Sequence, residues 1–79
     1  MSNHKEVLTA EVERRTQEVS EYDLNLKIYL LALKKSRANG NQDAADHNKI
    51  LEDLIRQTEV QRARSAVMLE SVTQLLAEV

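Results

Sequence analysis

Imidazole and thiol groups, which carry most metal and nucleophilic chemistry, are reduced in this 79-residue chain to two histidines, His4 and His47, with no cysteine. Neither histidine has a second one a helical turn away, and no Glu-x-x-His motif is present, so the spacings that build zinc or di-metal sites on helices are missing. Asp43, Asp46 and His47 stand close together, but at a place where a helix is expected to begin. Their types and order fit capping and complementation of the helix dipole, with the histidine in solvent, better than they fit a cation site. Ser2, Ser20, Ser36, Ser65 and Ser71 have no histidine and acid spaced to activate them, and the glutamates of the first half fall on solvated helix faces rather than as a facing pair. The expectation is a non-enzymatic protein without metal or cofactor.

The basic residues are the other candidates. Lys27, Lys34, Lys35 and Arg37 gather toward the middle of the chain, and Arg56, Arg62 and Arg64 follow in the second half. As nucleic-acid contacts, the first four would define an RNA- or DNA-binding hairpin dimer, which is the alternative function considered. Against it stand a net charge of -2, a single glycine and only two aromatic side chains, Tyr22 and Tyr29, so there is neither a global basic field nor a stacking platform. Helix-end charge and pairing with acids account for the same residues.

The elements that must position all of these follow from the punctuation. Gly40 is the only glycine, proline is absent, and the run Ala38-Asn39-Gly40-Asn41-Gln42 sits at the midpoint. Glycine and asparagine most readily take the left-handed backbone that ends a helix. A composition of 42% apolar and 30% charged residues with few aromatics is that of coiled coils. The spacing therefore predicts one all-α domain over 1–79: an antiparallel two-helix hairpin with helices at about 3–38 and 43–79 and a turn at about 39–42. A single unbent helix in a parallel coiled coil is disfavoured because glycine costs it about 1 kcal/mol before the asparagines are counted.

Each arm shows a seam. In the first, Leu8, Val12, Arg15, Val19, Tyr22, Leu26, Tyr29 and Leu33 alternate spacings of four and three, the pattern that holds one stripe on one face, and only Arg15 breaks it. Ser2 or Asn3 can cap its start, with Glu6 completing a capping box, and Lys34, Lys35 and Arg37 suit its C-terminal end. In the second, Leu51, Ile55, Thr58, Arg62, Ser65, Leu69, Val72, Leu76 and Val79 continue the pattern after a cap at Asn41 or Asp43, with Asp43 and Asp46 in the first turn. The polar stretch around Arg56 to Ser65 predicts a wetter waist, level with Arg15.

Reflection about Gly40 makes position i the neighbour of roughly 81 minus i. It sets Lys27 near Asp53, Lys34 and Lys35 near Asp46, Glu18 and Glu21 near Arg62 and Arg64, and Arg14 and Arg15 near Glu70. Within the arms, Glu11 with Arg15, Asp23 with Lys27 and Glu52 with Arg56 stand four apart with the acid first, the favourable order.

One segment exceeds what a hairpin needs. Leu24, Ile28 and Leu31 lie opposite the seam residues Leu26, Tyr29 and Leu33, so the helix is apolar on two sides near the bend. One partner helix covers one side. Burying Leu24, Ile28, Leu30 and Leu31 would contribute on the order of 6–10 kcal/mol before entropy, which makes them the expected partner-binding face. The competing expectation is that a broad second arm, using Ile50, Leu51, Leu54 and Ile55, covers them. Domains below about 70–80 residues commonly need disulfides, metals or partners, and only partners are left here.

The expected function is thus that of a small helical interaction protein acting by protein–protein contact as an assembly or secretion-type chaperone, an adaptor or an inhibitor. Its partners would be protein, either a second copy completing a four-helix bundle, a dimer being favoured, or another helical protein. In shape the hairpin is similar to subunits of secretion chaperones and to RNA-binding hairpin dimers, with no local motif behind the likeness. The first residues lack the apolar core of a secretory signal, and the longest apolar run, Ile28 to Leu33, falls short of the roughly 20 residues that span a bilayer, so a cytoplasmic location without membrane contact is the expectation.

Overall fold

The computed structural model describes residues 4–40 and 42–79, the side chains of residues 42 and 43 excepted. Two helices, α1 (His4–Asn39) and α2 (Gln42–Glu78), make up the described chain and pack against each other along a rod of 63 × 14 × 14 Å. The candidate caps Ser2, Asn3 and Asn41, and the side chain of Asp43, lie outside the described residues.

Gly40 separates the arms with a φ of 66°, the left-handed conformation that closes a helix C-terminus. No other described residue has a positive φ, so among the described residues the left-handed step falls at the one position where a side chain is absent. Neither helix contains an internal glycine or proline, which is why both run unbroken for 36 and 37 residues.

The seam residues from Leu8 to Leu33 and from Leu51 to Leu76 are buried or half-buried, and only Val79 at the end is exposed. Leu33, Leu51 and Ile55 form the densest cluster, with Leu26, Tyr29 and Ala32 packed on it, and Val72 is buried toward the far end. Ala44 closes the core at the bend, where a small side chain lets the helices approach. The core is nevertheless thin: no described side chain is fully enclosed.

The waist is polar yet closed. Thr58 and Ser65 are 6% and 5% exposed. The Thr58 hydroxyl donates to the Leu54 carbonyl of its own helix at 2.7 Å, and the Ser65 hydroxyl donates across to Glu18 Oε1 at 2.5 Å. Arg15, which interrupts the apolar seam, lies between two acids of its own helix, donating to Glu11 at 2.9 Å and to Glu18 at 3.5 Å. A small hydroxyl on one side and a chelated guanidinium on the other let the helices stay together without an apolar layer.

The charge register differs from simple reflection about the bend. Across the helices Arg62 pairs with Asp23, Arg37 with Glu52 at 2.9 Å, and Ser65 with Glu18. The first and last of these place one arm about three residues further along than reflection predicts, nearly one helical turn. The reason is that side chains enter the seam only in discrete layers, and Leu33 must meet Leu51 and Ile55. Consequently Glu18 meets neither Arg62 nor Arg64, Arg14 and Arg15 pair with Glu11 rather than Glu70, and Asp53 pairs within its own helix with Arg56 rather than with Lys27. Of the intrahelical pairs, Glu11 with Arg15 forms, while Glu52 turns to Arg37 and Asp23 to Arg62.

Candidate interaction surface

Leu24, Ile28, Leu30 and Leu31 are between 52% and 58% exposed, so α2 does not cover them. Leu24, Ile28 and Leu31 follow spacings of four and three on the back of α1, opposite Leu26, Tyr29 and Leu33. With apolar rows on both faces, α1 has almost no net amphipathic direction, whereas α2 has a clear one. Leu30 stands apart from the other three. It borders a shallow groove between the helices with Leu33, Glu52, Ile55, Arg56 and Glu59.

That groove defines one flank of the hairpin. In a continuous seam, residues seven apart keep the same flank. Leu30 therefore shares its flank with Arg37, Asp23 and Thr16 of α1, and Glu59 shares it with Glu52 and Ala66 of α2. The side is mostly polar, and the Arg37–Glu52 and Arg62–Asp23 pairs bridge it.

The opposite flank is marked near the chain ends by a mainly apolar groove of about 290 Å³ lined by His4, Val7, Leu8, Leu75, Glu78 and Val79. Stepping by sevens from Val7 gives Arg14, Glu21 and Ile28; from Leu75, Met68, Gln61 and Leu54; from Glu78, Ser71, Arg64, Gln57 and Ile50. Val7, Ile28, Ile50, Met68 and Leu75 are all exposed. Large apolar side chains thus concentrate on this flank at both ends of the rod, around a charged centre at Arg14, Glu21 and Arg64. The α2 members, Ile50, Met68 and Leu75, are the residues that reading the chain for seams alone passes over. A second row in α2, traced by sevens as in α1, is the signal that finds them.

Electrostatics add little that is local to a reaction. The Glu11 carboxyl is held below its ordinary value, chiefly by the hydrogen bond from Arg14; desolvation opposes this, and the hydrogen bond from Arg15 and the two guanidinium charges add to the lowering. The same contact holds the Arg14 guanidinium above its ordinary value. These three residues form a salt cluster in the first third of α1.

No group of three or more metal-ligating side chains occurs among the described residues, and no helix is long and apolar enough to cross a membrane. Apart from the two grooves between the helices, open depressions lie between side chains of a single helix, one beside Gln17, Glu21, Leu24 and Lys27 and another beside Arg56, Val60 and Arg64. Lys27, Lys34 and Lys35 are exposed. Arg37 is engaged by Glu52, and Glu52 and Glu59 interleave acids along the flank it occupies, so the four basic residues do not form a uniform positive patch.

Comparison of the chain with protein-family models, with curated proteins and with solved structures finds no match.

Proposed function

We propose that this protein is a non-enzymatic helical interaction module whose activity is to bind protein through the apolar surface that its own two helices leave open. The observation that carries the reading is the exposed row Leu24, Ile28 and Leu31, with Leu30 exposed on the other flank, set against a core in which no described side chain is fully enclosed. A solvent-facing patch of this kind is costly for a monomer and is the usual mark of an interface. Roles of this type include an assembly or secretion-type chaperone, an adaptor, or an inhibitor that acts by covering a partner, within the cytoplasm.

Sedimentation of the purified chain at tens of micromolar, combined with circular dichroism and an apolar fluorescent dye, tests the reading. The expected result is either an assembly larger than the monomer or a monomer that binds the dye or is incompletely folded. A fully helical, cooperatively folding monomer that excludes the dye would show that the patch needs no cover, and would overturn the proposal.

A further inference from the structure

We infer that the occupant of the open surface is a second copy of this chain, docked flank to flank through the side that carries Val7, Ile28, Ile50, Leu54, Met68 and Leu75, with a two-fold axis along the rod and both bends at the same end. The inference rests on the interaction reading above and specifies its partner and geometry.

Three observations favour a like chain in this orientation. The first is the inequality of the two flanks. Leu30 is the one large apolar side chain on the flank crossed by Arg37–Glu52, whereas the opposite flank carries exposed apolar residues from both helices. Leu24 and Leu31 lie beside Ile28 on α1, at the rim of the latter surface.

The second is area. One side of a 63 × 14 Å rod presents on the order of 900 Å², close to the ~800 Å² per partner that stable interfaces bury. A single helix laid on the same side would leave half of it open, while a second hairpin matches its length and width.

The third is complementarity by level. Because Asp23 meets Arg62 and Glu18 meets Ser65, Glu21 stands at the level of Arg64. With the two-fold along the rod, each α1 lies over the partner's α2 at the same level. At the mean of these two registers, Ile28 then lies between Leu54 and Gln57 of the other copy, Ala32 between its Ile50 and Leu54, Val7 between its Leu75 and Glu78, and Glu21 between its Gln61 and Arg64. Neither Glu21 nor Arg64 has an ion pair within the described chain. With the bends at opposite ends, α1 would instead lie over the other α1. Glu21, at the midpoint of that helix, would face its own copy, and Ile28 would face Arg14. Like charges and a mismatched isoleucine disfavour that arrangement.

The test uses the full chain. Sedimentation equilibrium is expected to give a dimer at tens of micromolar. Glu21→Arg places two arginines together at each of two symmetric contacts and should raise the dissociation constant by about tenfold; the double variant Glu21→Arg/Arg64→Glu should restore it to within about threefold. Spin labels on Lys35→Cys, near the bend, should give an intermolecular distance well under half the 63 Å rod. A separation of about 40 Å or more, which the opposite-end arrangement gives at ~1.5 Å per residue, would overturn the orientation, and absence of rescue in the double variant would overturn the flank. A monomer that binds the apolar dye would overturn the second copy while leaving the interaction reading intact, whereas a folded monomer that excludes it would overturn both.

Discussion

Asn48 occupies the seam position that follows Leu51 toward the bend, and its amide oxygen is buried with no hydrogen-bond partner among the described residues. Ser36, the seam residue that follows Leu33 on α1, is buried as well. An orphaned carbonyl of this kind costs about 1–3 kcal/mol, since it gives up water and gains nothing. Replacing Asn48 by alanine removes that cost and adds about 0.5 kcal/mol of helix propensity, against a small loss of side-chain packing. The net expectation is a stabilisation of about 1–2 kcal/mol. For a domain of this size that corresponds to a rise in Tm of about 4–8 °C per kcal/mol.

Thermal and urea unfolding of wild type and Asn48→Ala, at one fixed protein concentration, measures the difference. Concentration must be held because association would itself raise Tm. Asn48→Asp, which buries a charge in the same place, should destabilise by more than 2 kcal/mol and shows that the site is shielded. If Asn48→Ala lowers Tm, the amide is holding the bend rather than straining it. If Asn48→Asp is tolerated, the position is open to water and the orphaned-oxygen reasoning is refuted.

Gly40→Ala should lose about 1–2 kcal/mol in chemical denaturation, because the strain comes from φ 66° and not from crowding: a Cβ there meets no atom within 4 Å. Gly40→Asn should lose distinctly less, and equal losses would point to sterics instead. Ser65→Ala removes the hydroxyl that donates to Glu18 across the waist and should cost about 1–2 kcal/mol, read from the urea midpoint at constant m-value. The Glu11 carboxyl has a folded pKa below its ordinary 4.5, so its ion pairs contribute fully at neutral pH and are lost as pH falls below 4.5 through the folded value. Glu11→Gln should therefore unfold less steeply than wild type between neutral and acidic pH, and parallel pH profiles would remove the contact from the stability of the native state.

Two features of the fold were legible because each depends on residue types that permit few alternatives. A lone glycine between asparagines in a chain without proline left one place for a reversal, and the alternation of Leu8 through Leu33 and Leu51 through Leu76 fixed which face each helix turns inward. The register was not legible in the same way. Reflection about Gly40 treats the chain as a line, whereas layers of side chains lock together only at seam positions, and the lock between Leu33, Leu51 and Ile55 overrides the symmetric pairing of charges. Exposed ion pairs are worth about 0–1 kcal/mol each, so long flexible side chains re-pair to suit the apolar layers: Arg62 reaches Asp23, and Arg37 reaches Glu52. Of the open surface, the row on α1 was readable from its doubled apolar faces. The contribution of α2 was not, because Ile50, Met68 and Leu75 each adjoin a seam leucine in sequence, Leu51, Leu69 and Leu76, and become a separate surface only when the flank they share is known.

The polar waist connects packing to association. Thr58, Ser65, Arg15 and Glu18 satisfy one another or their own helices, so the middle of the hairpin holds together by hydrogen bonds that are weak in net terms but specific in position. Sliding α2 by one layer would take the Ser65 hydroxyl from Glu18 and Arg62 from Asp23. The waist thus selects the register that the apolar ends alone would tolerate being shifted, since leucine layers are interchangeable and these two cross-helix contacts are not. Register in turn decides the composition of each flank: a one-layer slip would move Glu21 away from the level of Arg64 and, in one direction, take Ile28 off Leu54 to lie between Gln57 and Gln61. On this view the polar centre gives up cohesive energy in the isolated hairpin so that the apolar residues at its ends arrive together on one side, where a partner can cover them.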